Sequence, residues 1–435
     1  MNKVHILGLF PLSTSCDDQG NLLIAKHSVP SLADEYGTPL YVYDGKTIKD
    51  HISLIQSLLK EYYQGASALA YAAKAYISPK FASKLAQTKV ELDAVSLNEM
   101  KLAIQNGFDP DLIHLHGNNK SIEELTFALE NHIHAIVVDN GQELALLEKL
   151  AGDRGMRAPV WLRITPDLHV DTHAHIETSA IDSKFGFHID NGDAELAIRQ
   201  AAASRHINLL GLYCHLGSQL FNHEPYKAAI KRILTTASKC KYYPLEFSPG
   251  GGWGVPYTPS QSVADPTAWI LAVTEAVQEF YLAKRMSPPR LIVESGRWIV
   301  AQAGVAIYKT GFQKVLPTGE RILSIDGGLA DNPRKALYNA EYIAWIANKM
   351  NDPHFAPYRV VGKYCETGDV LIQSVKLPEP DYGDLLAVPV SGAYQLSMAS
   401  NYNLASRPEV LWLEEDKPVE ILQRRENLLE SGWWE

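Results

Sequence analysis

Short apolar runs alternate with amphipathic segments along the first two thirds of the chain. PLYVYD at 39–44 reads as a strand. KTIKDHISLIQSLLKEYY follows with apolar residues at helical spacing, and Asp44 stands where an N-cap belongs. ALAYAA at 68–73 is the next strand and ends at Lys74. LDAVS leads into NEMKLAIQNG, LIHLHG into SIEELTFALENH, and AIVVD into QELALLEKLAG. VWLRITP runs into a loop, FGFHI into DAELAIRQAAAS, and LLGLYCHLG into PYKAAIKRILTTASK. YPLEFSPGGG, a long helix and RLIVESG complete the series. Strand–helix units joined by short turns predict a parallel β/α architecture. About eight units fit between residues 39 and 295, the number and length of a TIM-type α/β barrel. A doubly wound sheet is the alternative that patterning leaves open.

Beyond residue 296 the period shortens. VAIYKTGFQKVL, RILSIDGG, YRVVGKYC, DVLIQSVKL, DLLAVPV and VEILQRR are strand-like and separated by Gly, Pro and Asp turns. The helical-looking ALYNAEYIAWIANKM at 336–350 interrupts them. The expected organisation is a barrel over 39–295 and a second, mostly β domain built from 1–38 and 296–435. A hydrophobic content of 46% supplies a large core, and 21% charged residues argue against wholesale disorder. The net charge of -10 offers no broad basic face for nucleic acid or anionic lipid. None of the four cysteines forms a CxxC pair, so neither a disulfide scaffold nor a structural zinc site is expected. The N-terminal segment lacks a secretory core, and no run approaches ~20 apolar residues. A cytoplasmic protein without a membrane span is the expectation.

In such a barrel, chemistry gathers at the C-terminal ends of the strands. Lys74, His116, Arg163, His215, the SPGGG segment and Glu294 fall there. Lys74 is either a solvent-facing residue or an amine that forms a Schiff base. His215 either bonds backbone or stacks on a flat cofactor ring, with the Ser218 hydroxyl nearby. Gly250, Gly251 and Gly252 either make a simple turn or let backbone N–H groups converge on an anion. The dinucleotide and P-loop fingerprints are absent. Glu294 and Arg297 in ESGR are either a buried salt bridge or a pair with separate tasks. A carboxylate suits a pyridine nitrogen, and a guanidinium suits a substrate carboxylate. Cys365 and Glu366 lie in the polar KYCETGD, and Tyr394 lies in SGAYQLSMASNYN. The histidines of HVDTHAH (169, 173, 175) have no confirming context, and no metal is expected.

Taken in order, YAAKA at 71–75, SKFGF at 183–187, HLGSQ at 215–219, GGGWGVPY at 250–257, ESGR at 294–297, CETGD at 365–369 and GAYQLSMASNYN at 392–403 resemble the diaminopimelate decarboxylase family. GTPLYVYD at 37–44 resembles that family's entry into the barrel. The family is one of the alanine-racemase-like enzymes that use pyridoxal 5'-phosphate, and the resemblance covers nearly the whole chain. It implies that Lys74 is the Schiff-base lysine and that His215 packs on the cofactor ring. Ser218, Gly251, Gly252 and Tyr394 hold the cofactor, and Glu294 meets its pyridine nitrogen. Arg297, Arg334 and Tyr338 bind substrate carboxylates. Cys365, the implied proton donor, and Glu366 come from the partner in a homodimer. The implied reaction is decarboxylation of meso-2,6-diaminopimelate to L-lysine. Decarboxylation of another basic amino acid or of a carboxynorspermidine-like substrate, or racemisation, are the alternatives. Four positions depart from the family pattern: Tyr76 for Asn, Ser295 for Pro, SLNE at 96–99 for Ser-Gly-Gly-Glu with Glu99 kept, and Lys335 for Pro. They bear on substrate more than on cofactor.

Overall fold

The computed structural model describes residues 8–168, 184–263 and 265–430. The chain divides into two compact units. One comprises 52–254 and 263–296, the other 1–51, 255–262 and 297–435.

The first unit is a closed barrel of eight parallel strands. In chain order they are β1 (Ser67–Ala72), β2 (Glu91–Ala94), β3 (Ile113–Leu115), β4 (Ala135–Val138), β5 (Ala158–Thr165), β6 (Ile207–Tyr213), β7 (Glu246–Gly250) and β8 (Arg290–Ser295). Each pairs with the next, and β8 closes onto β1 with Leu291 opposite Ser67 and Ser295 opposite Tyr71. The α/β barrel expected from the alternation is therefore the fold. Polar caps start the intervening helices. Ser96, Asn140 and Asp265 each accept a backbone N–H of the first turn, and Ser121 forms a reciprocal capping box with Glu124. Phe187–His188 adds a short parallel pairing beside the end of β5.

The period-two alternation of the strands decides what fills the barrel. Ala70, Ala135, Val137, Trp161, Tyr213 and Ile292 form a buried apolar cluster. Ionisable side chains lie beside it: Glu91 and Asp93 from β2, His114 from β3, Glu246 from β7 and Glu294 from β8, all buried. Buried charge is costly unless paired. Here Arg290 bonds both Glu91 and Glu246, and Glu246 also accepts from Trp161 Nε1 (2.8 Å) and faces His134 Nε2 (2.9 Å).

The second unit is mostly β. Its long strand Gly304–Val315 pairs antiparallel with Leu40–Asp44, Arg321–Ile325 and Leu385–Val388. Arg321–Ile325 continues into Ala356–Val361 and Val370–Leu377, and Leu40–Asp44 continues into Glu409–Leu413 and Glu420–Gln423. Leu40–Asp44, counted with the barrel from sequence, thus hydrogen-bonds into this sheet. All five of its residues are buried, so no alternation marks which sheet it joins. Asp44 does cap the helix Gly45–Tyr62, accepting the N–H of Lys46 (3.3 Å) and Thr47 (3.2 Å). The segment 336–350 is helical only at its start. The helix Arg334–Tyr338 stops where Asn339 turns left-handed (φ 51), and Trp345–Ile346 pairs with Ala387 and Leu386. Sheet pairing and burial of these apolar residues override their helical spacing. No helix among the described residues is long and apolar enough to cross a membrane.

A buried carboxyl in this unit gives a stability test. Asp331 Oδ2 accepts the hydroxyls of Tyr41 (3.0 Å) and Tyr308 (2.5 Å), and Oδ1 accepts Gly328 N–H (2.9 Å). Burial pushes its pKa from 3.8 up to about 6, although these donors oppose the rise. The folded state therefore holds this proton more tightly than the unfolded chain. Stability from this group is full below the unfolded value and is lost as pH rises toward the folded one. Urea unfolding of wild type against Asp331→Asn should show a wild-type loss of roughly 3 kcal/mol over that interval, absent in the variant.

Candidate active site

Lys74 sits two residues past the end of β1, in the short 3-10 turn Ala73–Ala75. Ala73 and Ala75 are buried on either side of it, and Tyr71 Oη donates to the carbonyl of Tyr76 at 2.7 Å. The turn is thereby tied down while the lysine side chain is exposed. The positive charge of Lys74 acts on the carboxylate of Glu99, which lies in the first turn of the helix Leu97–Gln105, and on the ring of His215.

Glu294, near the end of β8, is buried. Its Oε2 accepts the Tyr213 hydroxyl at 3.1 Å and lies 3.7 Å from His215 Nδ1. Burial and the Glu294 charge push the Tyr213 phenol up, so it remains a neutral donor. Burial pulls the His215 pKa down, and Gly251 N–H donates to its Nδ1 at 3.4 Å. A neutral ring with Nδ1 as acceptor results, able to stack on a flat partner. Glu294 Oε1 has no hydrogen-bond partner among the described residues, and His116 Nε2 approaches it to 3.6 Å.

The glycine run packs against the loop that follows His215. Leu220 N–H donates to the Gly252 carbonyl (2.9 Å), and Gly254 N–H donates to the Leu220 carbonyl (2.8 Å). Tyr226 Oη donates to the Gly251 carbonyl (2.5 Å). Gly252 has φ +99, and a Cβ there would run into the carbonyl oxygen of Gly217; one at Gly250 (φ +74) would run into that of Cys214. Only glycine permits this approach, and it leaves the strip without side chains, as an anion site requires. Arg163, at the end of β5, covers the rings of Phe185 (4.2 Å) and Tyr213 (5.5 Å).

The remaining predicted residues belong to the β unit. Arg297 Nη1 donates to Tyr257 Oη (2.7 Å), and its guanidinium lies over the Tyr394 ring (4.5 Å). Arg334 is buried. Among the described residues its partners are the Tyr342 hydroxyl (2.9 Å) and the face of Tyr257 (4.9 Å) rather than a carboxylate. Tyr342 Oη also accepts from Gln395 Nε2 (2.8 Å) and donates to Asn332 Oδ1 (3.3 Å). Burial raises the Tyr257 pKa, but the two guanidiniums outweigh burial and pull it below the ordinary value. Tyr338 is exposed, one turn beyond Arg334. Cys365 and Glu366 are exposed on a loop held by Asp369, which accepts the N–H of Leu329 (2.7 Å) and Tyr364 (2.9 Å).

The structure thus gathers Lys74, His215, Ser218, Gly251, Gly252 and Glu294 in the barrel unit. It gathers Arg297, Arg334 and Tyr394 in the β unit. Sequence reasoning missed Tyr342, Asn332 and Gln395, although Gln395 stands beside Tyr394 inside GAYQLSMASNYN. It also missed Asp93, whose one signal was an acid inside the strand LDAVS. The histidines of HVDTHAH lie outside the described residues. A different trio, Asp93, His114 and His116, is buried inside the barrel with its side-chain ligand atoms within 4.8 Å of one another.

An unpartnered carboxylate oxygen for a pyridinium N–H, a neutral imidazole, an anion-ready glycine strip and a strand-end lysine together fit pyridoxal phosphate. Residues 46–301 match the family model described as "Pyridoxal-dependent decarboxylase, pyridoxal binding domain". The chain is 39% identical to diaminopimelate decarboxylase of Bacillus subtilis over 427 residues, 96% of each protein. The chain belongs to the diaminopimelate decarboxylase family. The enzyme of Bacillus methanolicus is 36% identical over 95% of this chain and 96% of its own. A solved diaminopimelate decarboxylase from M. jannaschii, in complex with L-lysine, superposes with a TM-score of 0.89 at 29% identity, covering 95% of each chain. Members of this family are pyridoxal-phosphate decarboxylases, and the barrel unit carries the matching binding domain.

The glycine strip makes a direct prediction for the family's cofactor. Gly252→Ala should weaken pyridoxal phosphate binding by on the order of tenfold or more, from the strained φ and the collision with Gly217. Fluorescence titration of the apoprotein measures it.

Proposed function

We propose that this chain removes carbon dioxide from meso-2,6-diaminopimelate to give L-lysine. Arg334 carries the reading: a buried guanidinium supported by phenols is ready for a carboxylate that arrives with the substrate. Diaminopimelate has a second carboxylate to offer after the first is lost. The near full-length likeness to diaminopimelate decarboxylases supports the same substrate.

The cofactor supplies the electron sink that accepts the pair left when carbon dioxide departs. Lys74 would hold it through its amine. His215 would lie against its ring. Ser218, Gly251, Gly252 and Tyr394 hold its phosphate end. Glu294 keeps a proton at its pyridine nitrogen, with Tyr213 fixing the carboxylate from the side. Arg297, Arg334 and Tyr338 orient the substrate carboxylates, and Glu366 binds the distal ammonium. Cys365 returns a proton to the α carbon.

The working form in this proposal is a cytoplasmic homodimer in which Cys365 and Glu366 serve the partner's site. Their exposure on the loop held by Asp369 supports that assignment. Among the described residues no disulfide joins any of the four cysteines, which suits a reducing compartment.

Purified protein should carry a visible cofactor absorption band that Lys74→Ala abolishes. Carbon dioxide should be released from meso-diaminopimelate in preference to L-lysine, L-ornithine or carboxynorspermidine; no release from diaminopimelate would reject the substrate. Mixing inactive Lys74→Ala with inactive Cys365→Ala should recover roughly a quarter of wild-type activity, as random exchange between two-fold dimers requires. No recovery would reject the shared site.

A further inference from the structure

The barrel interior holds a column of ionisable groups that, Glu294 apart, the reaction described above does not use. It starts at the solvent-exposed Asp111, whose carboxylate lies 3.2 Å from His134 Nδ1. His134 faces Glu246, Glu246 and Glu91 share Arg290, and Glu91 Oε2 lies 3.2 Å from His114 Nε2. His114 Nδ1 donates to Asp93 Oδ1 at 3.0 Å. The same Asp93 oxygen lies 3.4 Å from His116 Nε2, and that nitrogen lies 3.6 Å from Glu294 Oε1. The side chains from Glu91 to Glu294 belong to strands β2 and β8 and to β3 with its C-terminal extension. All of them except Arg290 are buried.

We infer that His116 is a positioning residue for Glu294. Its Nε2–H bridges Asp93 and Glu294, and the Asp93–His114–Glu91 column holds that proton in place. The inference rests on the proposed pairing of Glu294 with the pyridine nitrogen. Geometry carries it. Asp93 Oδ1 and Glu294 Oε1 both approach His116 Nε2, and that nitrogen and Glu294 Oε1 are buried and lack a conventional hydrogen bond among the described residues. A ligand that draws Glu294 Oε1 toward its own N–H needs that oxygen's other side held, or the carboxylate will rotate or take up a proton. Burial favours protonated Asp93, but the hydrogen bond from His114 and the nearby His116 outweigh it and keep Asp93 ionised. The groups facing His116 are Asp93 and His114 from its neighbourhood in β2 and β3, Glu294 from β8, the edge-on ring of Tyr213 from β6 at 4.8 Å, and the charge of Glu99. Among the described residues, only Asp93 and Glu294 place a carboxylate oxygen within 4 Å of its Nε2.

The test uses holoenzyme loaded with pyridoxal phosphate labelled with 15N in the ring, and reads the ring nitrogen by NMR as pH rises from neutral to alkaline. Wild type should keep this nitrogen protonated throughout. In His116→Phe, protonation should be lost at lower pH, with kcat down by on the order of tenfold, the equivalent of one buried hydrogen bond, and KM little changed. His116→Gln, whose amide can donate to Glu294, should restore most of the wild-type signal. Should His116→Phe not fold, Asp93→Asn, which removes the acceptor behind His116, is read in the same way. Titrations identical to wild type in all variants, or equal loss in His116→Phe and His116→Gln, overturn the inference. Glu294→Gln separates the two levels: if it leaves the nitrogen signal unmoved, the pairing of Glu294 with the ring is wrong. If it moves the signal while the His116 variants do not, the role of His116 alone is wrong.

Discussion

Glu294 places a negative charge where water scarcely screens it, and much of the barrel is arranged around that charge. A lone buried carboxylate would take up a proton. Here the Tyr213 hydroxyl donates to one oxygen, and His116 and His215 lie just beyond hydrogen-bond distance. The same requirement explains Asp93, His114 and Glu91, which would be unwelcome in an apolar barrel core. Each is tolerable because the next supplies a partner.

The alternation of strands and helices was legible because each amphipathic helix and each short apolar run obeys its own period. The place of Lys74 at the end of an apolar run was legible, as was the run Gly250–Gly252, but position alone left the role of the lysine open and only the family resemblance assigned it. Glu294 was legible as an acid closing the strand RLIVESG. What could not be read was partnership. The strand Leu40–Asp44 is buried on both faces, so its sequence does not say that it lies between Gly304–Val315 and Glu409–Leu413. The segment after Tyr338 has helical spacing, but Trp345 and Ile346 gain more from a sheet edge. Asp93 and His114 read as ordinary strand residues until barrel closure brings them together.

The β unit solves a different electrostatic problem. Two arginines share a phenol, Tyr257, and aromatic faces cover what a carboxylate would otherwise neutralise. Cation–π and phenol contacts satisfy a guanidinium more weakly than a carboxylate does. Arg334 is therefore stable in place and still attractive to an arriving anion. A fixed Asp or Glu beside it would hold it more tightly and spoil it for that purpose.

The ionic column also constrains how the barrel comes into being. Arg290 joins Glu91 across 199 residues of chain and joins Glu246 across 44. A nascent chain that has assembled only β1 to β4 already owns Glu91, Asp93 and His114 but not Arg290. Closing such a fragment around these groups would bury charge before its counter-charge exists. The early strands must stay hydrated until β7 and β8 arrive, so the barrel's interior dries late and in one step, with the last strand delivering the cation that completes it.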